Sequence, residues 1–261
     1  MEPFEHTELW KQTLAEQPGN DSFAEQRARL RTAFMQMRVN TWPLHQNIAL
    51  TLPKFTKHDL SHSDALWRLA SLLCTEEEPE TRSSGKNSRA KNGFFLTPTE
   101  GFVLGAAFLV HDLGLGLASY SGGIADLQRL AYWKDVVMSR HKAHLGRLPT
   151  EDERRNPDPV VVEETTEIVL RELHARHAEK LAQASWKDES GIERHLIDDE
   201  QLREAFGPVI GKVAHSHWWN VADLETEIVP NIMGVSFIMP PLGKWILSWW
   251  RACSGWPTIA I

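Results

Sequence analysis

Apolar residues along this chain recur mostly at three- and four-residue intervals, and runs of strict alternation are scarce, which predicts helices and few strands. Ser22 with Glu25 forms a capping-box pattern that opens a helix of about four turns through Phe34 and Met37. Pro43 and Pro53 predict a loop, and a second helix starts near Ser61. From Thr75 to Gly93 the sequence is charged, rich in Ser and Gly and without large apolar residues, so a mobile surface loop is expected at about 75–93. Thr97-Pro98-Thr99-Glu100 supplies an N-cap, a proline at the first helical position and a glutamate at the third. The helix that follows, Gly101 to His111, carries no charge until Asp112 and is expected to cross the middle of the core. Asp158-Pro159 starts a long helix reaching about Gln183, and Asp198 with Gln201 starts another running through His217. No segment repeats with a period of twenty to fifty residues. The expected fold is all-α: an N-terminal helical extension over 1–45, one helical domain over 46–227 and an atypical Trp-rich tail over 228–261.

Composition narrows the function classes. The 261 residues, 42% of them hydrophobic and 24% charged, suffice for a sizeable core and describe an ordinary soluble chain. A formal charge of -7 argues against a broad nucleic-acid surface. Two cysteines, Cys74 and Cys253, support neither a disulfide framework nor a zinc ribbon. The N-terminus has no apolar run of the secretory kind, and the apolar stretch from Gly101 to Val110 is half the length of a bilayer span. A cytoplasmic location with no membrane partner is expected.

The histidines change the picture most. His62 shares a helical face with Ala65, Leu66, Leu69 and Leu73. His111 lies beneath Leu104, Ala107 and Phe108 and is followed at once by Asp112. His174 and His177 share a stripe with Leu170 and Leu181, and His217 aligns with Phe206, Ile210 and Val213. One inward histidine is more often a hydrogen-bonded core residue than a ligand. Imidazoles facing inward from four separate helices need partners, and a metal ion satisfies several at once, with Asp112 as a carboxylate able to bridge two cations.

His62 in SHSDALWRLA and the doublet His111-Asp112 in LVHDLG resemble the HD superfamily of metal-dependent phosphohydrolases. FTKHDLSHSDALW, LRELHARHAEKL and VAHSHWW are most similar to the HD domains found ahead of heat-shock-protein-type ATPase modules, over roughly residues 50 to 225. The resemblance implies an HD-type orthogonal helical bundle. It implies that His62, His111 and Asp112 are metal ligands, His111 and Asp112 being also catalytic, with His174 and His217 as further ligands of a two-metal variant. His215 competes with His217 and is disfavoured because its own stripe holds Pro208, Gly211 and Lys212. His58, Arg171, His177 and His215 remain candidates for orienting ligands or meeting substrate, and Lys54 and Lys57 for neutralising phosphate; a solvated-face reading stands beside each. One or two ions of manganese, iron or zinc would activate water for attack on the phosphoester of a small molecule or nucleotide. Full-length relatives are expected to carry an ATPase domain.

One departure from the family is plain: it ends its ligand set with a late aspartate, in a helix reading like LLRxAD, whereas residues 228–261 hold no Asp or Glu. That stretch carries Trp245, Trp249, Trp250 and Trp256; a shifted reading frame over it can read VDPQLVACLLRMAD, so a frame-shifted, truncated product is one expectation and a genuine Trp-rich tail the other. The missing carboxylate also supports an alternative, a catalytically silent HD module that binds a nucleotide or partner. A third reading takes Asp112-Leu113-Gly114-Leu115-Gly116 as a nucleotide-binding box, which needs a strand before it. Cys74 ends an apolar helix and reads as core rather than nucleophile.

Overall fold

The computed structural model describes residues 3–75, 96–187 and 190–227. The expected loop at 75–93, apart from Thr75, and the Trp-rich tail at 228–261 lie outside the described residues. Within them the chain is all-α, with ten α-helices and one two-stranded hairpin. The helices are α1 (Glu8–Thr13), α2 (Ala24–Thr51), α3 (Leu60–Thr75), α4 (Pro98–Val110), α5 (Ile124–Gln128), α6 (Ala131–Leu145), α7 (Glu151–Arg155), α8 (Pro159–Leu181), α9 (Glu200–His215) and α10 (Val221–Glu227). Strands β1 (Ser185–Lys187) and β2 (Glu193–His195) pair antiparallel, with Trp186 opposite Arg194.

α4 is the axis of the core, and its sequence explains why. Thr97 accepts from the Glu100 N–H while Glu100 reaches back to the Thr97 N–H at 2.7 Å, so the expected cap is closed in both directions. Every residue from Pro98 to Val110 is buried; from Gly101 on the run carries no charge and its backbone polar groups are satisfied within the helix, while the buried Glu100 is engaged by the Thr97 N–H. Around it Phe4, Trp10, Phe34 and Trp67 meet largely edge-on at centroid separations of 5.1 to 6.1 Å. Each such pair adds about 0.5–1.5 kcal/mol beyond area burial. The N-terminal residues Phe4, Leu9 and Trp10 thus belong to the same apolar cluster as α3 and α4. A second cluster joins the end of α2 to α6 and α8 through Ile48, Trp133, Val137 and Val169.

Several helix boundaries differ from expectation. The first helix does not stop before Pro43: α2 continues to Thr51 with the proline inside it. Pro43 withdraws one N–H from the carbonyl four residues back, but that carbonyl belongs to Val39, an exposed residue, so the missing bond costs less than it would in the core. Met37, Thr41, His45 and Ile48 keep one buried face in register across the proline, so packing overrides the local signal. Nor is Ser22 the cap of α2; Asp21 holds the entry instead, accepting from the Phe23 N–H at 2.9 Å and from Arg27 Nε at 2.9 Å. The start of α9 shifts by one residue, because Asp199 rather than Asp198 accepts from the Leu202 N–H.

Candidate metal centre

α4 ends by delivering His111 and Asp112 together. The His111 N–H still bonds Ala107 O at 3.0 Å, and Asp112 opens a 3-10 turn, Leu113–Leu115, whose first and last residues belong to the two different apolar clusters. The turn is therefore pinned on both sides of the site. It also lies against α8 so closely that a Cβ on Gly114 would stand 2.3 Å from His174 O. Because a helix and a 3-10 turn precede and follow Asp112, the strand that a nucleotide-binding box requires is absent there.

Asp112 is 6% exposed and ringed by imidazoles. Its Oδ2 lies 2.9 Å from His111 Nε2, 3.5 Å from His62 Nε2 and 3.8 Å from His58 Nε2. Its Oδ1 lies 3.6 Å from His174 Nε2 and 3.9 Å from His217 Nε2. Two overlapping donor groups result, His62–His111–Asp112 and Asp112–His174–His217, each with its ligand atoms within 4.8 Å of one another.

The hydrogen bonds on the far side of these rings decide what they offer. His111 Nδ1 faces Phe108 O at 3.1 Å, His174 Nδ1 faces Arg171 O at 2.6 Å and His217 Nδ1 faces Ala214 O at 2.5 Å. A carbonyl only accepts, so each Nδ1 carries a proton; the neutral rings of His174 and His217 then turn their Nε2 lone pairs toward Asp112, while His111 donates from Nε2 to the carboxylate at 2.9 Å. The Nε2 atoms of His174 and His217 are 2.9 Å apart, lone pair against lone pair, beside a carboxylate that also only accepts. Without a proton or a cation among them, these groups repel. The donor set therefore fits a metal ion, with mixed nitrogen and oxygen ligands suited to manganese, iron or zinc.

Charge bears this out. Burial pushes His62 down to about 4 and His217 down to about 3, with His111 adding to both shifts, and burial also lowers His174; these rings are neutral, as ligands must be. Burial opposes a charge on Asp112, but the adjacent His111 outweighs it and holds the carboxyl well below the usual range. Burial likewise opposes a charge on His111, yet Asp112 raises its pKa and accepts from its Nε2.

The remaining expected residues fall around this centre or away from it. His217 faces Asp112 as stated above, although it sits in a 3-10 turn, Ser216–Trp218, beyond the end of α9 rather than on the helix. His215 turns away and binds Glu179 at 2.6 Å through Nδ1. His58 donates from Nδ1 to Thr56 O at 2.5 Å and flanks His62 at 5.5 Å between ring centroids. Arg171 lies over the Phe55 ring at 5.2 Å, and His177 bonds Ser119 O at 3.0 Å. Lys54 and Lys57 are paired with Glu163 and Asp59 at 3.1 and 2.8 Å. Cys74 is buried in the core, and burial pushes its thiol up to about 12, far from a nucleophile's range.

His45 is a residue that sequence reasoning missed. It is 2% exposed on α2, with Nδ1 3.1 Å from His58 O and Nε2 3.0 Å from Leu109 O, tying the His58 segment to the last turn of α4. The signal was present, since His45 continues the Leu30, Phe34, Met37 and Thr41 stripe, but Pro43 hid it.

A buried carboxylate within a ring of inward imidazoles, held by helices and centred on a His-Asp doublet, defines an HD-type helical domain with a centre able to hold metal. A family model described as HD-CE matches residues 52–235, and the chain belongs to the HD-CE family. No curated protein matches the chain, and neither does any solved structure.

Proposed function

We propose that this chain is a metal-dependent phosphohydrolase-type HD domain acting on a phosphoester of a small molecule or nucleotide. The observation that carries the reading is the Nδ1–H tautomer of His174 and His217, whose Nε2 lone pairs converge beside one buried carboxylate and fit a cation. His62, His111 and Asp112 would hold one ion, and Asp112, His174 and His217 a second. When bound, such an ion supplies Lewis acidity toward a phosphoryl oxygen and makes water a nucleophile near neutral pH. Asp112 offers one oxygen to each half of the site and keeps its negative charge there. His111 would have to give up its Nε2 proton to act as a ligand. His58, 3.8 Å from Asp112 and beyond hydrogen-bond distance, flanks the site on the His62 side. His62, with its side chain 35% exposed, and Trp218, 51% exposed beside His174, mark the side from which a phosphate would enter.

The test is hydrolysis of p-nitrophenyl phosphate and bis-p-nitrophenyl phosphate after loading with manganese, iron or zinc, alongside metal content by elemental analysis. Turnover that needs metal and disappears in Asp112→Asn supports the reading; no turnover of either ester with any of the three metals overturns it. A second reading rests on a specific observation, that Asp112 is the one carboxylate in both donor groups among the described residues. A centre short of carboxylate binds metal more weakly, and the chain would then be a catalytically silent module that binds a nucleotide or partner; substoichiometric metal together with nucleotide binding is its signature. The pairing with an ATPase domain in longer relatives belongs to the same proposal.

A further inference from the structure

One turn beyond His174, α8 changes what it faces. His177 turns away from Asp112 and stacks on Tyr120, with ring centroids 3.8 Å apart and planes within 6°. The stack is fixed at both ends: Tyr120 donates its hydroxyl to Gly114 O at 3.1 Å, and His177 Nε2 donates to Ser119 O at 3.0 Å. Burial and Lys180 both lower the pKa of His177, so the ring is neutral and its Nδ1 is left as an acceptor. This stack walls a cleft of about 260 Å³ whose apolar lining comes from Leu127, Leu130 and Leu173 and whose rim carries Arg176 and Lys180. These two cations lie four residues apart on one face of α8, and neither makes an ion pair among the described residues.

The third charge at the cleft does not cancel them. Asp126 is already occupied, accepting from the Gly122 N–H at 2.7 Å, from Ser121 Oγ at 3.4 Å and from Arg129 at 3.0 Å. The cleft therefore offers two positive charges that no ion pair engages among the described residues, above an apolar floor with an aromatic wall. A carboxylate would neutralise one of them, whereas a phosphate monoester carries close to two negative charges at neutral pH. The volume lies just below the range usual for drug-sized ligands, which limits the organic part to about one ring.

We propose that this cleft, separate from the His-Asp centre, binds a small phosphate monoester, its phosphate between Arg176 and Lys180 and its apolar or aromatic body against Leu127, Leu130 and Leu173. The proposal does not depend on the hydrolase reading, because none of these residues belongs to the metal-binding groups. Phenyl phosphate is the probe, with phenol and inorganic phosphate as its halves, titrated calorimetrically into the full chain in the presence of a chelator. The whole probe is expected to bind at least tenfold more tightly than either half and more weakly as salt rises. Arg176→Glu with Lys180→Glu should weaken it at least tenfold, and Arg176→Gln with Lys180→Gln should move it in the same direction by less. Both pairs change exposed helix positions and should leave the melting temperature near that of the wild type. Asp112→Asn, which breaks the other centre, should leave the affinity within about twofold. No binding of phenyl phosphate, unchanged binding in both charge variants, or loss of binding in Asp112→Asn would each overturn the proposal.

Discussion

Replacing Gly114 by alanine should separate the two halves of the candidate metal centre. An added Cβ would meet His174 O at 2.3 Å, His174 Cα at 2.7 Å and His174 C at 2.9 Å. These are backbone atoms inside α8, next to Ala175 and Ala178, both fully buried, so they cannot swing aside as a side-chain tip would. Ordinary contact begins near 3.4 Å, so the turn carrying Gly114 must withdraw by roughly 1 Å. Asp112 lies two residues earlier and moves with it, lengthening its 3.6 Å separation from His174. Metal–ligand distances tolerate only about 0.2 Å, so zinc or manganese affinity should fall about 10- to 100-fold. The overpacking should cost about 1–3 kcal/mol, or roughly 2–4 °C of melting temperature per kcal/mol for a domain of this size. Gly146→Ala is the matched control: Gly146 has φ of 69° with nothing within 4 Å of an added Cβ, so only backbone strain of about 1–2 kcal/mol is incurred. Equilibrium dialysis with each metal and a thermal melt of both variants decide the matter. A Gly114→Ala protein that binds metal as the wild type does, or a Gly146→Ala protein that loses as much affinity, refutes the reasoning.

Other outcomes follow from the same geometry. Saturating the protein with zinc or manganese at about 100 times its dissociation constant should add about 2.7 kcal/mol of stability, read as a rise in melting temperature that a chelator reverses and Asp112→Asn abolishes. His217→Ala should lose that rise while His215→Ala keeps it, because His215 is engaged with Glu179 rather than with Asp112. Without metal, stability should fall as pH drops from about 6.5 toward 4. In that window the unfolded chain takes up protons that the folded His62, at about 4, and His217, at about 3, refuse. Each pKa unit is worth about 1.4 kcal/mol, discounted at His62 because its side chain is 35% exposed. His111 runs the other way, since its raised pKa gives stability that is lost as pH rises, but it is one ring against several lowered ones. Urea midpoints at pH 7, 5.5 and 4.5 in a chelator test the sum; a midpoint that is flat or rises toward acid contradicts it.

The legible parts of this fold were those where the local signal and the burial agree. The Thr97-to-Glu100 cap and the uncharged run behind it describe α4 almost residue for residue, because a helix without charge has no alternative to burial. Inward histidines were visible as breaks in apolar stripes, so the residues around Asp112 were legible from spacing. Their convergence was not, since it depends on where α3, α8 and the end of α9 are carried by the packing of α4. Pro43 shows the opposite failure. Its local effect is real, but seven buried positions along α2 outweigh one missing hydrogen bond, and the price of trusting the proline was missing His45. α6 and α7 carried no chemistry that drew notice, yet α6 contributes Trp133, Val136 and Val137 to the cluster that supports α8 from behind.

The tautomers explain why helical and 3-10 backbone supplies the rings of the centre. In His111, His174 and His217 alike, Nδ1 bonds the carbonyl three residues earlier, a contact that a helical or 3-10 backbone places within reach of its own imidazole. Local backbone geometry thus sets the protonation of each ring before any long-range packing is considered, and packing has only to bring the Nε2 atoms to one place. His62 has no comparable bond among the described residues, and it is also the most exposed of the rings. It should consequently be the most mobile of the candidate ligands. His111, locked between the Phe108 carbonyl and Asp112, should move least.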